Sequence, residues 1–194
     1  MIPDWLIQLD QTLTLGLNSL HTPLSDQFWM LFTEKYVWFP AYAVLFGFIL
    51  YRMGWKRGLV LILTLVLAIV FVDQTSYHIK ESIQRLRPCY SEQMLRGGLH
   101  WPYNRYSFFG FFSGHAANSF ALVACALTGL KEDTAHRYAG FAWAGYSWAA
   151  LVAISRVMMG MHYVGDITVG ALYGLLAGYA FGYLARWIFV KGMR

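Results

Sequence analysis

Five stretches of this chain are almost free of charge, and they constrain the fold more than any other feature. Residues Tyr36–Tyr51 carry none and include Pro40. Gly58–Ile79 carries only Asp73. Ala116–Leu130, Tyr138–Ser155 and Ile167–Ala185 carry none, with Arg137 and Arg156 just outside the fourth. A membrane-crossing helix needs about 20 predominantly apolar residues, and each stretch reaches that length by extending into flanking aromatic or polar residues. Composition agrees: the chain is 58% hydrophobic and 13% charged, against about 25% charged in an ordinary globular domain. Aromatics make up 18%, and Trp and Tyr collect at membrane interfaces. The predicted class is all-α, a polytopic membrane helix bundle with five transmembrane helices. The count rises to six if part of residues 5–33 inserts. At 194 residues one membrane domain spanning 1–194 is expected.

Residues 1–34 are mixed in character. Ile2, Trp5, Leu6, Leu9, Leu13, Leu17 and Leu20 recur at helical spacing, with Gln8, Asp10, Gln11 and Asn18 between them. That pattern suits an amphipathic helix lying in the membrane interface, or equally a helix packed on the bundle. Pro23 breaks it, and a second short helix is expected from about Ser25 to Phe32. Asp4 and Asp10 interrupt the start, and no basic segment precedes an apolar core, so no cleavable signal peptide is expected.

The net charge is +5, but the cations are scattered between apolar spans. They suit membrane anchoring and an anion site better than nucleic acid. With five alternating spans, Arg52, Lys56, Arg57, Lys131, Arg137, Arg186, Lys191 and Arg194 share one face. Lys35, Lys80, Arg85, Arg87, Arg96, Arg105 and Arg156 share the other. Setting aside Lys80, Arg87 and Arg156, which belong to the motifs below, leaves eight cations against four. The positive-inside rule then makes the first face cytoplasmic. Cys89 falls in a loop and Cys125 in an apolar span, so no disulfide is expected. The longest loop, about 85–112, carries Tyr90, Trp101, Tyr103, Tyr106 and a run of Phe. It suits either a membrane-surface contact or a hydrophobically packed loop.

Three short motifs carry the chemistry. Lys80 is followed after six residues by Arg87-Pro88; then comes Ser113-Gly114-His115; then Ser155-Arg156, followed by His162 and Asp166. All fall at span ends on one face. Arg offers a planar fork of donors that matches phosphate, and Lys offers a point charge. Ser113 is a good N-cap, Gly114 admits close approach to the backbone, and a helix start attracts anions. His115 would then stand beside a bound phosphate. His162 and Asp166, four residues apart, share a helical face. A carboxylate on one imidazole nitrogen leaves the other free to attack phosphorus. Asp73 is the one acid inside a span, and such a group ordinarily faces the bundle interior with a partner. A structural role beside Lys80, His78 or a polar group of the fourth span is expected for it. Isolated interfacial cations such as Lys35, Arg85, Arg96 and Arg105 read first as snorkelling side chains. His21, His78, His100 and His136 lack motif context.

These motifs resemble those of the type 2 phosphatidic acid phosphatase family, in its membrane lipid phosphatase branch. The family pattern is KxxxxxxRP, PSGH and SRxxxxxHxxxD, and with their helices the motifs cover residues 58–185. Phe112 stands where the family usually has Pro, a change that bears on loop geometry and substrate fit. The resemblance implies that His162 is the nucleophile, forming a phosphohistidine, and that Asp166 orients it. It implies that His115 is the acid for the leaving oxygen. Lys80, Arg87 and Arg156 would hold the phosphate oxygens, with Ser113 and the Gly114 amide adding hydrogen bonds. No metal or other cofactor is implied, and the sequence offers no carboxylate cluster suited to Mg²⁺. The substrate class is a membrane lipid phosphate: undecaprenyl pyrophosphate, lipid A phosphate, phosphatidate or phosphatidylglycerol phosphate. The expected setting is a bacterial inner membrane with the site on the periplasmic face. Membrane lipids are the expected partners, with no nucleic acid and no obligate protein partner. Two rivals differ in class. A vanadate-dependent oxidant shares the site but is soluble, and a non-enzymatic lipid-phosphate binder or transporter needs the cations without His162.

Overall fold

The computed structural model describes residues 3–102 and 107–192. Its helices are α1 (Asp4–Asn18), α2 (Pro23–Thr33), α3 (Phe39–Ile83), α4 (Glu92–Arg96), α5 (Gly114–Leu130), α6 (Ala139–Met158) and α7 (Val164–Gly192). Strand pairing among the described residues is one isolated bridge between Leu86 and Phe109. The all-α expectation holds.

The long α3 is bent back on itself. Gly54 adopts φ +70° and ψ 165°, a backbone conformation that side-chain-bearing residues rarely take. The break gives arms 39–53 and 55–83. A Cβ on Gly58 would sit 3.0 Å from Leu50 Cα, and Ile49, Leu61 and Leu65 share one buried cluster. The arms therefore pack as a hairpin. Helical segments thus occupy all five uncharged stretches. By length and hydropathy, Tyr36–Ile83 and Val164–Lys191 are long and apolar enough to cross a membrane, and Gly114–Leu130 is a shorter apolar helix.

Helix α5 is the centre, flanked by α3, α6 and α7. Its contact with α7 is close because α7 presents Gly170, Gly174, Gly178 and Gly182, four apart, on one ridge. A Cβ at Gly174 would stand 2.1 Å from the Ala117 carbonyl oxygen, and one at Gly178 2.5 Å from that of Ala121. Nothing larger than hydrogen fits there. On the α5 side the partners are small as well: Ala117, Ala121 and Ala124 are fully buried.

The N-terminal helices are inside out relative to a soluble protein. Thr14 and Asn18 are the buried residues of α1, while Trp5, Leu6, Leu9, Leu13 and Leu20 are exposed. Asn18 Nδ2 donates to the carbonyls of His100, Val157 and Met158, and its Oδ1 accepts from the His100 N–H. The polar face thus clamps the end of α6, and the apolar face points outward. Of the two readings of residues 1–34, packing on the bundle is observed: α1 packs by its polar side and leaves its apolar side exposed. The first helix stops at Asn18 and Pro23 opens the second, α2, with Thr22 and Ser25 forming a reciprocal capping box.

The loop after α3 is packed rather than splayed. Cys89, Met94, Leu99, Met159, Met161 and Tyr163 form one buried cluster against Trp101 and Tyr90, and the Phe108 ring lies tilted against Tyr90 at 4.8 Å. Tyr103, Arg105 and Tyr106 lie outside the described residues. Cys89 and Cys125 are both free. At the opposite end of the bundle, Arg52 pairs with Asp133, and Arg186 with Glu132 at 2.6 Å. Arg52 and Arg186, two cations of the expected cytoplasmic face, therefore lie at the end away from the motifs.

Candidate active site

Helix ends bring the three motifs to one place. The α3 arm 55–83 carries Lys80 in its last turn and stops at Gln84, whose φ of 53° turns the chain. The helix therefore ends three residues before Arg87, and Pro88 follows with Arg87 extended at φ −66°, ψ 156°. Ser113 caps α5, its hydroxyl accepting the Ala116 N–H at 3.4 Å. Arg156 lies in the last turn of α6. The α6–α7 link turns at Gly160, whose φ is +69° and where a Cβ would meet the His100 carbonyl at 2.8 Å. His162 follows, and Asp166 sits in the first turn of α7. The ends are stitched together, since the Ser113 N–H donates to the Asp166 carbonyl at 3.0 Å.

Lys80, Arg87, Gly114, His115, Arg156 and His162 line one cavity of about 500 Å³. Arg87, Arg156 and His162 are 6%, 1% and 2% exposed, so the cations face the cavity from within the protein. Ser113 is buried behind this wall, and its hydroxyl is turned to its own helix. Gly114 is needed for packing: a Cβ there would sit 3.2 Å from Ser76 Oγ and 3.5 Å from Lys80 Nζ.

The state of His162 follows from its neighbours. Arg87 Nη1 lies 3.1 Å from His162 Nε2. A guanidinium only donates, so Nε2 accepts and the ring proton sits on Nδ1. Nδ1 lies 3.3 Å from Asp166 Oδ2. The imidazole is thus held with its lone pair on the cavity nitrogen, the tautomer a nucleophile needs. Burial pushes the His162 pKa well below the ordinary histidine value, and the Arg87, Arg156 and Lys80 charges push it further down. Asp166 is fully buried. Its Oδ2 also accepts the Tyr163 N–H at 3.1 Å, and its Oδ1 accepts Arg85 at 2.6 Å.

Sequence reasoning missed several supporting residues. Arg85, read as a snorkelling cation, bridges Asp166 and Asp10 at 2.6 Å each and lies 4.0 Å from the Tyr163 ring centroid. Asp10 in turn accepts the Gly165 N–H at 2.7 Å. Thr33, the last residue of α2, accepts Arg156 Nη1 at 3.1 Å and meets Ser155 Oγ at 3.0 Å. Ser107 holds Arg87 through its carbonyl at 2.7 Å and its hydroxyl at 3.1 Å. No spacing rule links residues 10, 33 or 107 to the motifs. The one available signal was a set of polar residues on an otherwise apolar N-terminal segment. Asp73 meets Asn118 of α5 at 3.3 Å, rather than a group of the fourth span. Phe112 is buried against Val72, Ala117 and Tyr173. Among the described residues no group of three or more His, Cys, Asp or Glu is placed to hold a metal ion.

The fold and this cluster define a helical phosphate-handling membrane protein. Residues 55–190 match the PAP2 superfamily, and the chain belongs to that family. It is 30% identical to a lipid A 4'-phosphatase of Bacteroides thetaiotaomicron over 94% of this chain and 80% of the relative. It is 27% identical to a lipid A 4'-phosphatase of Porphyromonas gingivalis, over 91% and 72% respectively. Its fold is similar to that of a transmembrane PAP2-type phosphatidylglycerolphosphate phosphatase from Bacillus subtilis. That match has a TM-score of 0.73, 20% identity, and covers 96% of this chain and 89% of the other. Aquifex aeolicus LpxE matches at TM-score 0.63 and 23% identity, over 88% and 92%. The chain is therefore a membrane-associated phosphatase that hydrolyses lipid phosphates.

Proposed function

We propose that this phosphatase removes the 4'-phosphate of lipid A through a phosphohistidine, without a metal. One observation carries the reading: the cavity that holds Lys80, Arg87, Arg156, His115 and His162 continues into a wall of Phe39, Tyr42, Phe46, Leu65, Ile69 and Trp148. A phosphate and an apolar chain fit one continuous space. The names of the two relatives, matched over more than nine-tenths of this chain, favour lipid A among the four candidate lipids.

In this mechanism Lys80, Arg87, Arg156 and the Gly114 amide hold the phosphate oxygens. Charge that builds on them in the transition state is met by donors already in place. Arg87 exchanges its contact with His162 for the phosphate. His162 Nε2 then attacks phosphorus, and the bond to the lipid oxygen breaks. His115 gives its proton to that oxygen, and the dephosphorylated lipid leaves. His115 next takes a proton from water, the hydroxide attacks phosphorus, and the N–P bond breaks to release inorganic phosphate. Asp166 holds the ring throughout, and Ser113 acts through the helix cap.

We place the site on the outer, periplasmic face of a bacterial inner membrane, with five helices crossing and residues 1–34 at the interface of one domain. The test is phosphate release by the purified chain in detergent from lipid A, undecaprenyl pyrophosphate, phosphatidate and phosphatidylglycerol phosphate. Lipid A is expected to give the highest kcat/KM, and His162→Ala to lose turnover while keeping its thermal midpoint. Wild-type rates from a folded His162→Ala variant would overturn the mechanism. A clear preference for another lipid would overturn the substrate.

A further inference from the structure

Asp73 is a carboxylate inside a segment long and apolar enough to cross a membrane, and it lines the same cavity as the basic cluster. Its observed partner is Asn118 Nδ2 at 3.3 Å. Because a carboxylate only accepts, the amide nitrogen of Asn118 must face it. The other end of that amide, Oδ1, is buried and has no hydrogen-bond partner. An unmet buried acceptor costs about 1–3 kcal/mol, and a charge at membrane depth costs more. Both residues line the cavity, and Asn118 follows His115 by three positions on α5. The pair therefore lies about 4.5 Å further along that helix than the histidine. The phosphate is held by donors alone: Lys80, Arg87 and Arg156 have no acceptor to offer. One turn deeper the wall changes to acceptors.

We propose that Asp73 and Asn118 form a subsite that reads hydrogen-bond donors on the lipid close to its phosphate. This deepens the lipid phosphatase reading and rests on it. Three of the four candidate lipids divide on this property, and phosphatidylglycerol phosphate, with one glycerol hydroxyl donor beside its phosphate, falls between. The ester linkages of phosphatidate offer only acceptors beside the phosphate, and a polyprenyl chain offers neither donors nor acceptors. An N-acylated amino-sugar phosphate offers amide N–H and hydroxyl donors. Such a lipid satisfies Asn118 Oδ1 and the free oxygen of Asp73, whereas phosphatidate would set its own acceptors against theirs. Discrimination of this kind follows because a mismatched substrate leaves the buried Oδ1 of Asn118 unpaired, while Asp73 itself is exposed.

The test compares kcat/KM on an N-acylated glucosamine phosphate lipid with that on phosphatidate of matched chain length, using the full chain in detergent. The readout is the ratio of the two. Wild type is expected to favour the amino-sugar lipid. Asp73→Leu and Asn118→Leu are each expected to lower the ratio about ten- to hundredfold, the size of one hydrogen bond to a charged or buried acceptor. Asp73→Asn, which keeps the shape and one acceptor, is expected to fall between them and wild type. Asp73→Leu is also expected to keep or raise the thermal midpoint, since it removes a charge from an apolar span. A ratio within twofold of wild type in all three variants overturns the subsite. So does an equal loss on both lipids with a lowered midpoint, which is the signature of a structural pair. A wild-type chain inert on both lipids overturns the lipid A reading on which the subsite rests, an outcome distinct from an active enzyme with an unaltered ratio.

Discussion

At His162 one contact settles which ring nitrogen keeps its lone pair. Arg87 can only donate, so the imidazole beside it keeps a lone pair on Nε2 and its proton on the Asp166 side. Burial first, then Arg87, Arg156 and Lys80, hold its pKa well below the ordinary histidine value. The sign follows directly. A lowered pKa keeps the ring neutral as pH falls through about 6.5, the ordinary histidine value, and protonation intervenes only below it. Nitrogen-15 NMR titration of the histidines in detergent is expected to show the His162 ring neutral across that range. In Arg87→Ala its midpoint is expected to move upward, because one positive neighbour is gone. An unmoved midpoint would mean that the Arg87 charge does not act on the ring.

Helix ends and the short links beside them hold this site, and the elements that hold them can be separated experimentally. Arg85 sits just past the α3 arm and ties Asp166 on α7 to Asp10 on α1. It does not line the cavity, so the role expected for it is positioning. Arg85→Ala is expected to lower kcat about ten- to hundredfold, the worth of a charge-assisted hydrogen bond to Asp166. KM should change little, and Arg85→Lys should restore part of the loss. A rise in KM with kcat intact would instead assign Arg85 to binding. The glycine ridge on α7 acts at the same scale. Gly174→Ala would force a Cβ to within 2.1 Å of the Ala117 carbonyl, and neither helix has a side chain there that can yield. A loss of about 1–3 kcal/mol is expected, as for overpacking elsewhere, read as a lower thermal midpoint in detergent. Because α5 and α7 each start at the site, activity should fall with it.

For the whole molecule, the N-terminal third is the part that residues 55–190 do not explain. Asp10 and Thr33 reach the site from α1 and α2, while the outer faces of those helices carry Trp5, Leu6, Leu9, Leu13 and Leu24. One pair of helices thus buttresses the candidate site and leaves an exposed apolar outer surface. The three cations also bear on the chemistry of the whole enzyme. With Lys80, Arg87 and Arg156 converging on one cavity, charge stabilisation is available from the protein itself. Phosphate release from lipid is therefore expected to persist in excess EDTA and to be inhibited by vanadate, which mimics five-coordinate phosphorus. Loss of activity in EDTA, restored by Mg²⁺, would refute the metal-free mechanism.

Hydrophobic patterning and motif spacing determined much of this protein without any tertiary information. Uncharged stretches bounded by cations define helices, because buried backbone in an apolar medium must satisfy its own hydrogen bonds. Motif spacing singled out Lys80, Arg87, His115, Arg156 and His162, and the structure brings these five to one cavity. The contributions of Asp10, Thr33, Arg85, Ser107 and Asn118 were decided only by the tertiary structure. Their partners lie far along the chain, Arg85 and Asp10 being 75 residues apart, and no local periodicity records such a contact. The hairpin at Gly54 and the glycine ridge against α5 belong to the same class. Each is a close approach between segments whose sequences do not mention one another.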